Sequence, residues 1–172
     1  MLVRAQLNEN VKDSYAPPSL RSLQFAGHGL SGKQAEALQN SKRAVILKFG
    51  HPQKNVWTAL RTAAELMSEI ATQTDGFVWD EDIREVFTPE AWRQRRVDQW
   101  TDPPRVSLQT VIHNYNTGHS VRAITLGMAK MGLPDLVVED TGWSSNNRIG
   151  NLINLLSQAL GEGQPFHKIR RI

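Results

Sequence analysis

Val56, Leu60, Ala63, Ala64, Met67, Ile70 and Ala71 recur at offsets of three and four residues, which draws one apolar stripe along a long helix. Ile149, Leu152, Ile153, Leu156 and Leu160 draw a second stripe, on a helix starting near Ser145 or Asn146. A helix that is apolar on one side must bury that side, and most of the remaining apolar segments read as strands. "MLVRAQL" alternates, "LRSLQFAG" reads as a second strand, and "RAVILKFG" is a near-continuous apolar run of the kind buried on both faces. Two short strands flank the acidic turn of "DGFVWDEDIREVF", "RVSLQTVIHNY" and "HSVRAITL" form a hairpin through "NTG", and "PDLVVED" adds another strand. Ser31 is placed to cap a short helix over "GKQAEALQNS", and Thr88 to cap another with Pro89 at its first position.

These elements predict an α+β fold, a mostly antiparallel sheet covered by two principal amphipathic helices. They form one domain over residues 1–172, with a polar tail from about 161, compatible with a module of a larger protein.

Composition narrows the function. With 40% hydrophobic and 22% charged residues the chain is of ordinary globular type. It has no cysteine, so disulfides, thiol catalysis and thiolate metal sites are excluded, and a reducing cytosol suits it. No run reaches the length of a membrane span, and "MLVRAQLNEN" lacks the apolar core of a signal peptide, so a cytoplasmic protein without membrane contact is expected. Twenty basic against 17 acidic residues is too mild an excess to imply nucleic acid as a partner.

Local motifs carry little chemistry. "GHGLSGKQ" has the Gly27, Gly32, Lys33 spacing of a phosphate-binding loop, but Gln34 stands where a magnesium-ligating hydroxyl is needed, so it reads as a turn feeding a capped helix. Asp80, Glu81, Asp82 and Glu85 lack the glycine of a calcium loop and read as a solvated turn. His113 and His119 flank the hairpin turn and have no third ligand, and no metal or cofactor is expected. Arg93, Arg95 and Arg96 in "WRQRR" read as a solvated helix face with Trp92 turned inward. Of the five tryptophans, Trp143, in a loop beside "SSNN", is the one expected to be exposed.

"RAITLGMAKMGLPDLVVED" brackets one tight turn of helix between Gly127 and Gly132, and Pro134 holds Leu133 extended. That is a hinge between strands, filled by Met128, Met131 and Leu133. Taken with "DGFVWDEDIREVFTPEAW" and "RIGNLINLLSQAL", it resembles a domain family of unknown function in bacterial proteins, over roughly residues 40–160. Gly76, Trp79, Asp80, Thr125, Gly127, Met128, Gly132, Pro134 and Asp135 match the pattern, while Asp75 and Met131 depart from it. The resemblance implies a bacterial, cytosolic α+β domain and brings no activity with it.

Two functions remain. The first is a non-catalytic protein-binding domain, for instance of the immunity type, with Trp143, Trp79, Asp80, Arg93 and Arg96 as contact candidates. The second is a small hydrolase or nucleic-acid-processing enzyme whose cleft gathers Asp80, Asp82, His119 and Arg122. The first is preferred.

Overall fold

The computed structural model describes residues 1–9 and 16–164; most of the polar tail expected from about 161 lies outside them. The fold is α+β, with the strands of the described residues in three small sheets rather than one. The chain divides into two compact units, Met1–Gln99 and a second beginning at Trp100. No linker composition marks the boundary in "DQWTDPP".

In the first unit, β1 (Leu2–Asn8) pairs antiparallel with β3 (Ala44–Gly50) over seven residue pairs, as an isolated two-stranded ribbon. A second sheet runs in the order β2 (Gly27–His28), β5 (Glu85–Phe87), β4 (Val78–Asp80), with β2 parallel to β5 and β4 antiparallel to it. Helix α3 (Val56–Thr74) carries the first stripe and buries Val56, Ala59, Ala64, Ser68 and Ala71. The observed buried line therefore includes Ala59 and Ser68, while the bulkier Leu60, Met67 and Ile70 are half-buried beside it.

Two local expectations need correction, and a third is borne out. "LRSLQFA" is not a strand but helix α1 (Leu20–Ala26), whose N-cap Ser19 accepts a hydrogen bond from the Ser22 amide. Its apolar residues fit both periods, and the hydroxyl after Pro17 and Pro18 decides for the helix. β3 is not buried on both faces: with one neighbouring strand, none of its residues is buried. Gln34 closes a capping box in α2 (Gly32–Gln39), its Oε1 accepting from the Ser31 amide at 2.9 Å while Ser31 accepts from the Gln34 amide. The residue that breaks the phosphate-loop pattern is thus committed to starting a helix.

Thr88 caps α4 (Pro89–Arg93), and a π-helical turn over Gln94–Asp98 follows directly, closed by the Gln99 amide on the Gln94 carbonyl. Trp92 is buried and its indole N–H donates to the Ala64 carbonyl at 2.9 Å, tying α4 to the middle of α3.

In the second unit, β6 (Val111–Asn116), β7 (Val121–Leu126) and β8 (Val137–Thr141) form an antiparallel sheet with β7 central. Val121, Ala123 and Thr125 alternate inward from β7. Helix α5 (Asn146–Gly161) buries Ile153, Ser157 and Leu160. Its Gln158 amide bridges the Val106 N–H and the Pro104 carbonyl, which fixes the chain entering the sheet.

The glycine-bracketed turn forms between β7 and β8 as expected. Gly127 and Gly132 have φ of 99° and 68°, both in the left-handed region that suits glycine. Met128 and Met131 are buried beneath it, and Asp135 accepts from Thr125 Oγ1 and from the Met128 amide.

Candidate functional site

The first unit carries a charged cluster that the local sequence conceals. β5 is the central strand of its sheet, and Glu85, Val86 and Phe87 are all buried. Parallel pairing sets His28 beside Phe87, and the rings stack with centroids 4.6 Å apart. His28 Nε2 then lies 3.1 Å from Glu85 Oε1, a half-open imidazole against an enclosed carboxylate.

Trp92 and Arg96 are four residues apart and share one side of the chain. Trp92 meets Phe87 edge-on at 5.4 Å, and the Arg96 guanidinium lies 5.5 Å from the Phe87 centroid and 5.4 Å from that of Trp92. The π turn also brings Arg95 to 6.0 Å from Phe87. Arg96 Nη2 donates to Asp80 Oδ2 at 2.9 Å, with side chains 1% and 7% exposed.

Two expectations are thereby corrected. The acidic turn is only partly solvated, since Asp80 and Glu85 face inward while Glu81 and Asp82 remain exposed. The "WRQRR" face is likewise not wholly solvated, because Arg96 is among the most deeply buried side chains of the described residues. For Arg96 and Asp80 the cause is shared: a buried cation needs an adjacent anion, and β4 supplies it.

Burial pulls the Arg96 guanidinium down to about 10 against the opposing pull of Asp80, so it stays charged at neutral pH. Burial pushes the Glu85 carboxyl up, and its contact with His28, with the charges of His28, Arg95 and Arg96, outweighs this, so the group sits below its ordinary 4.5. A depressed carboxylate contributes stability that is present above the unfolded value and is lost as pH falls through the folded one. Glu85→Gln is therefore expected to flatten the acid limb of a stability-against-pH curve below about pH 5. Midpoints of denaturant unfolding between pH 3 and 7 measure it; an acid limb unchanged by the substitution contradicts the assignment.

The contact candidates separate. Asp80 and Arg96 are spent on each other and do not reach the surface as contact residues. Arg93 is exposed and lies 3.6 Å from Asp98. Trp79, on the edge strand β4, is 39% exposed, and Trp143, in the 3₁₀ turn before α5, is 55% exposed.

Of the enzyme candidates, Asp80 and Asp82 belong to the first unit, and His119 and Arg122 to the second. Arg122 pairs on the surface with Glu139 at 3.2 Å, and His119 lies in the hairpin turn. His113 stands opposite Ile124, so the two histidines do not face each other across the ladder. Among the described residues, no group of three metal-ligating His, Asp or Glu side chains converges, and no helix is long and apolar enough to cross a membrane.

A larger surface feature lies in the β1–β3 ribbon, which the strand readings did not combine. Antiparallel partners share a face, so Val3, Ala5 and Leu7 align with Phe49, Leu47 and Val45. All six are apolar and none is buried; Leu7 is 56% and Val45 48% exposed. The other face sets Arg4 opposite Lys48, with Lys42 and Arg43 just before β3. The pairing that reveals this face joins segments about 40 residues apart, so alternation within either segment could not identify it.

Comparison with protein-family models, with curated proteins and with solved structures gave no match.

Proposed function

We propose that this chain is a non-catalytic domain of the bacterial cytosol that recognises a protein partner, in the manner of an immunity protein. The observation that carries the reading is the apolar face of the β1–β3 ribbon, six side chains without a charge among them, of which Val3, Ala5, Leu7 and Val45 are exposed and Leu47 and Phe49 half-buried. An apolar surface rimmed by polar groups is the usual signature of a contact site. Lys42 and Arg43, just before β3, put basic charge at one end of the ribbon, so the fitting partner presents an apolar patch with carboxylates at that end. Trp79 and Trp143 are further anchors of the residue type that dominates such contacts.

A photo-crosslinking amino acid at Val45 in the native host tests this. A discrete adduct with one other protein is expected from position 45 and not from the exposed helical position Glu65. Adducts absent from position 45, or identical at both positions, would remove the ribbon as the contact.

A second reading has one observation behind it. His28 is partly open and its imidazole meets a buried carboxylate, the arrangement that orients a general base. It differs from the Asp80, Asp82, His119 and Arg122 constellation, and it requires that His28→Ala abolish a turnover that the ribbon variants leave intact.

A further inference from the structure

We propose that the second face of the β1–β3 ribbon, which carries Arg4, Gln6 and Lys48, binds double-stranded DNA by entering its major groove. This goes beyond the protein contact, which takes the apolar face and leaves this one open.

The observation that carries it is a cross-strand pair that folding does not favour. Arg4 stands directly opposite Lys48, and both are exposed. Like charges in opposed positions destabilise a strand pair. No carboxylate relieves them: among the described residues, Arg4, Lys42, Arg43 and Lys48 form no ion pair, and residues 1–8 and 42–50 contain no Asp or Glu. A charge that only guarded the sheet edge would do so equally well with an acid opposite it. Four cations left without an anion on one ribbon fit an anion that comes from outside the chain. The net charge of +3 for the whole chain conceals them, because it is the pairing of distant segments that gathers them.

Geometry selects the anion. An anionic membrane requires cations and apolar side chains on the same side, the one at the headgroups and the other in the lipid, and here they occupy opposite faces. The major groove of DNA, about 12 Å wide, accepts a two-stranded ribbon. Arg and Lys match the guanine edge there and Gln the adenine edge, and Gln6 shares the face of Arg4 two residues on. Leu2, 75% exposed on the same face, offers the apolar contact that a thymine methyl takes. Ala44 and Ile46, also on this face, are half-buried, so the part of the ribbon that meets base edges is the end at Leu2, Arg4, Gln6 and Lys48. Lys42 and Arg43 lie about 17 Å or more along the strand from Lys48, where the phosphates flanking the groove pass. The apolar face then points away from the DNA.

Anisotropy of a labelled DNA duplex of about 20 base pairs, titrated with the full chain, tests this. Affinity is expected to fall between about 50 and 200 mM salt with a log–log slope of about −3 to −4, as four neutralised phosphates require. Arg4→Ala with Lys48→Ala is expected to weaken binding by about tenfold or more at low salt and to bring the slope to about −2. Arg105→Ala with Arg148→Ala, the same change of charge at exposed positions of the second unit, is expected to alter neither. Arg4→Glu sets an acid opposite Lys48, so it is expected to raise the denaturant midpoint while abolishing DNA binding, which separates lost binding from lost fold. Duplex RNA of the same sequence, whose major groove is too deep and narrow for side chains to read, is expected to bind about tenfold more weakly or worse, as are polyglutamate and phosphatidylserine vesicles. No DNA binding at about 50 mM salt, binding that Arg4→Ala with Lys48→Ala leaves unchanged, or equal binding of RNA, polyglutamate or vesicles would overturn the proposal. None of these substitutions touches the apolar face, so the adduct at Val45 is expected to persist in each, and failure with DNA leaves the protein contact standing.

Discussion

Arg96→Ala is expected to destabilise the protein by about 3–5 kcal/mol, because it leaves a buried carboxylate without its cation. The Asp80 side chain is 7% exposed in the native state, and truncation also removes the guanidinium from its contacts with Phe87 and Trp92. Arg96→Lys restores charge but not the planar group that meets the rings and the carboxylate together, so it is expected to recover only part of the loss. Arg96→Met combined with Asp80→Asn removes both charges at similar volume and is expected to be milder than Arg96→Ala alone. Denaturant titrations of the four proteins measure this, and a loss below about 1 kcal/mol for Arg96→Ala would show that the pair is not held as described.

Met128→Ala is expected to cost about 2–5 kcal/mol, the range for emptying a fully buried site of that size. The position leaves little room for collapse. Gly127, whose φ of 99° fixes the turn, precedes Met128, and the backbone amide of Met128 itself donates to Asp135. Met128→Leu keeps the volume and is expected to cost less than about 1.5 kcal/mol. Equal effects of the two substitutions would mean that the side chain fills no defined space.

Much of the second unit was legible because its determinants are local. The hairpin, the Gly127–Gly132 turn and the closing helix each lie within a single stretch of sequence and each formed, though the first hairpin strand begins at Val111, after a 3₁₀ turn over Val106–Leu108, rather than at Arg105. The first unit was less legible because its determinants lie across the chain. Glu85 and Asp80 look like turn carboxylates until parallel pairing brings His28 to one and the π turn brings Arg96 to the other. One signal was available: with Trp92 turned inward, the residue four positions later shares its face, and that residue is Arg96. For His28, between two glycines and 57 residues before its partner, no local signal exists. The ribbon shows the same limit, since alternation identifies β1 as a strand but not which strand shares its apolar face.

The most direct measurement is partner binding by two double variants in parallel. Leu7→Lys with Val45→Lys charges the apolar face of the ribbon, and His28→Ala with Glu85→Gln disarms the imidazole–carboxylate pair. With the partner captured at Val45 and titrated against each folded variant, the ribbon variant is predicted to lose binding by about a hundredfold or more, as loss of two central apolar contacts implies, and the second variant to bind as the unsubstituted chain does. Unchanged binding by the ribbon variant, together with a turnover lost only in the His28 and Glu85 variant, would contradict the account.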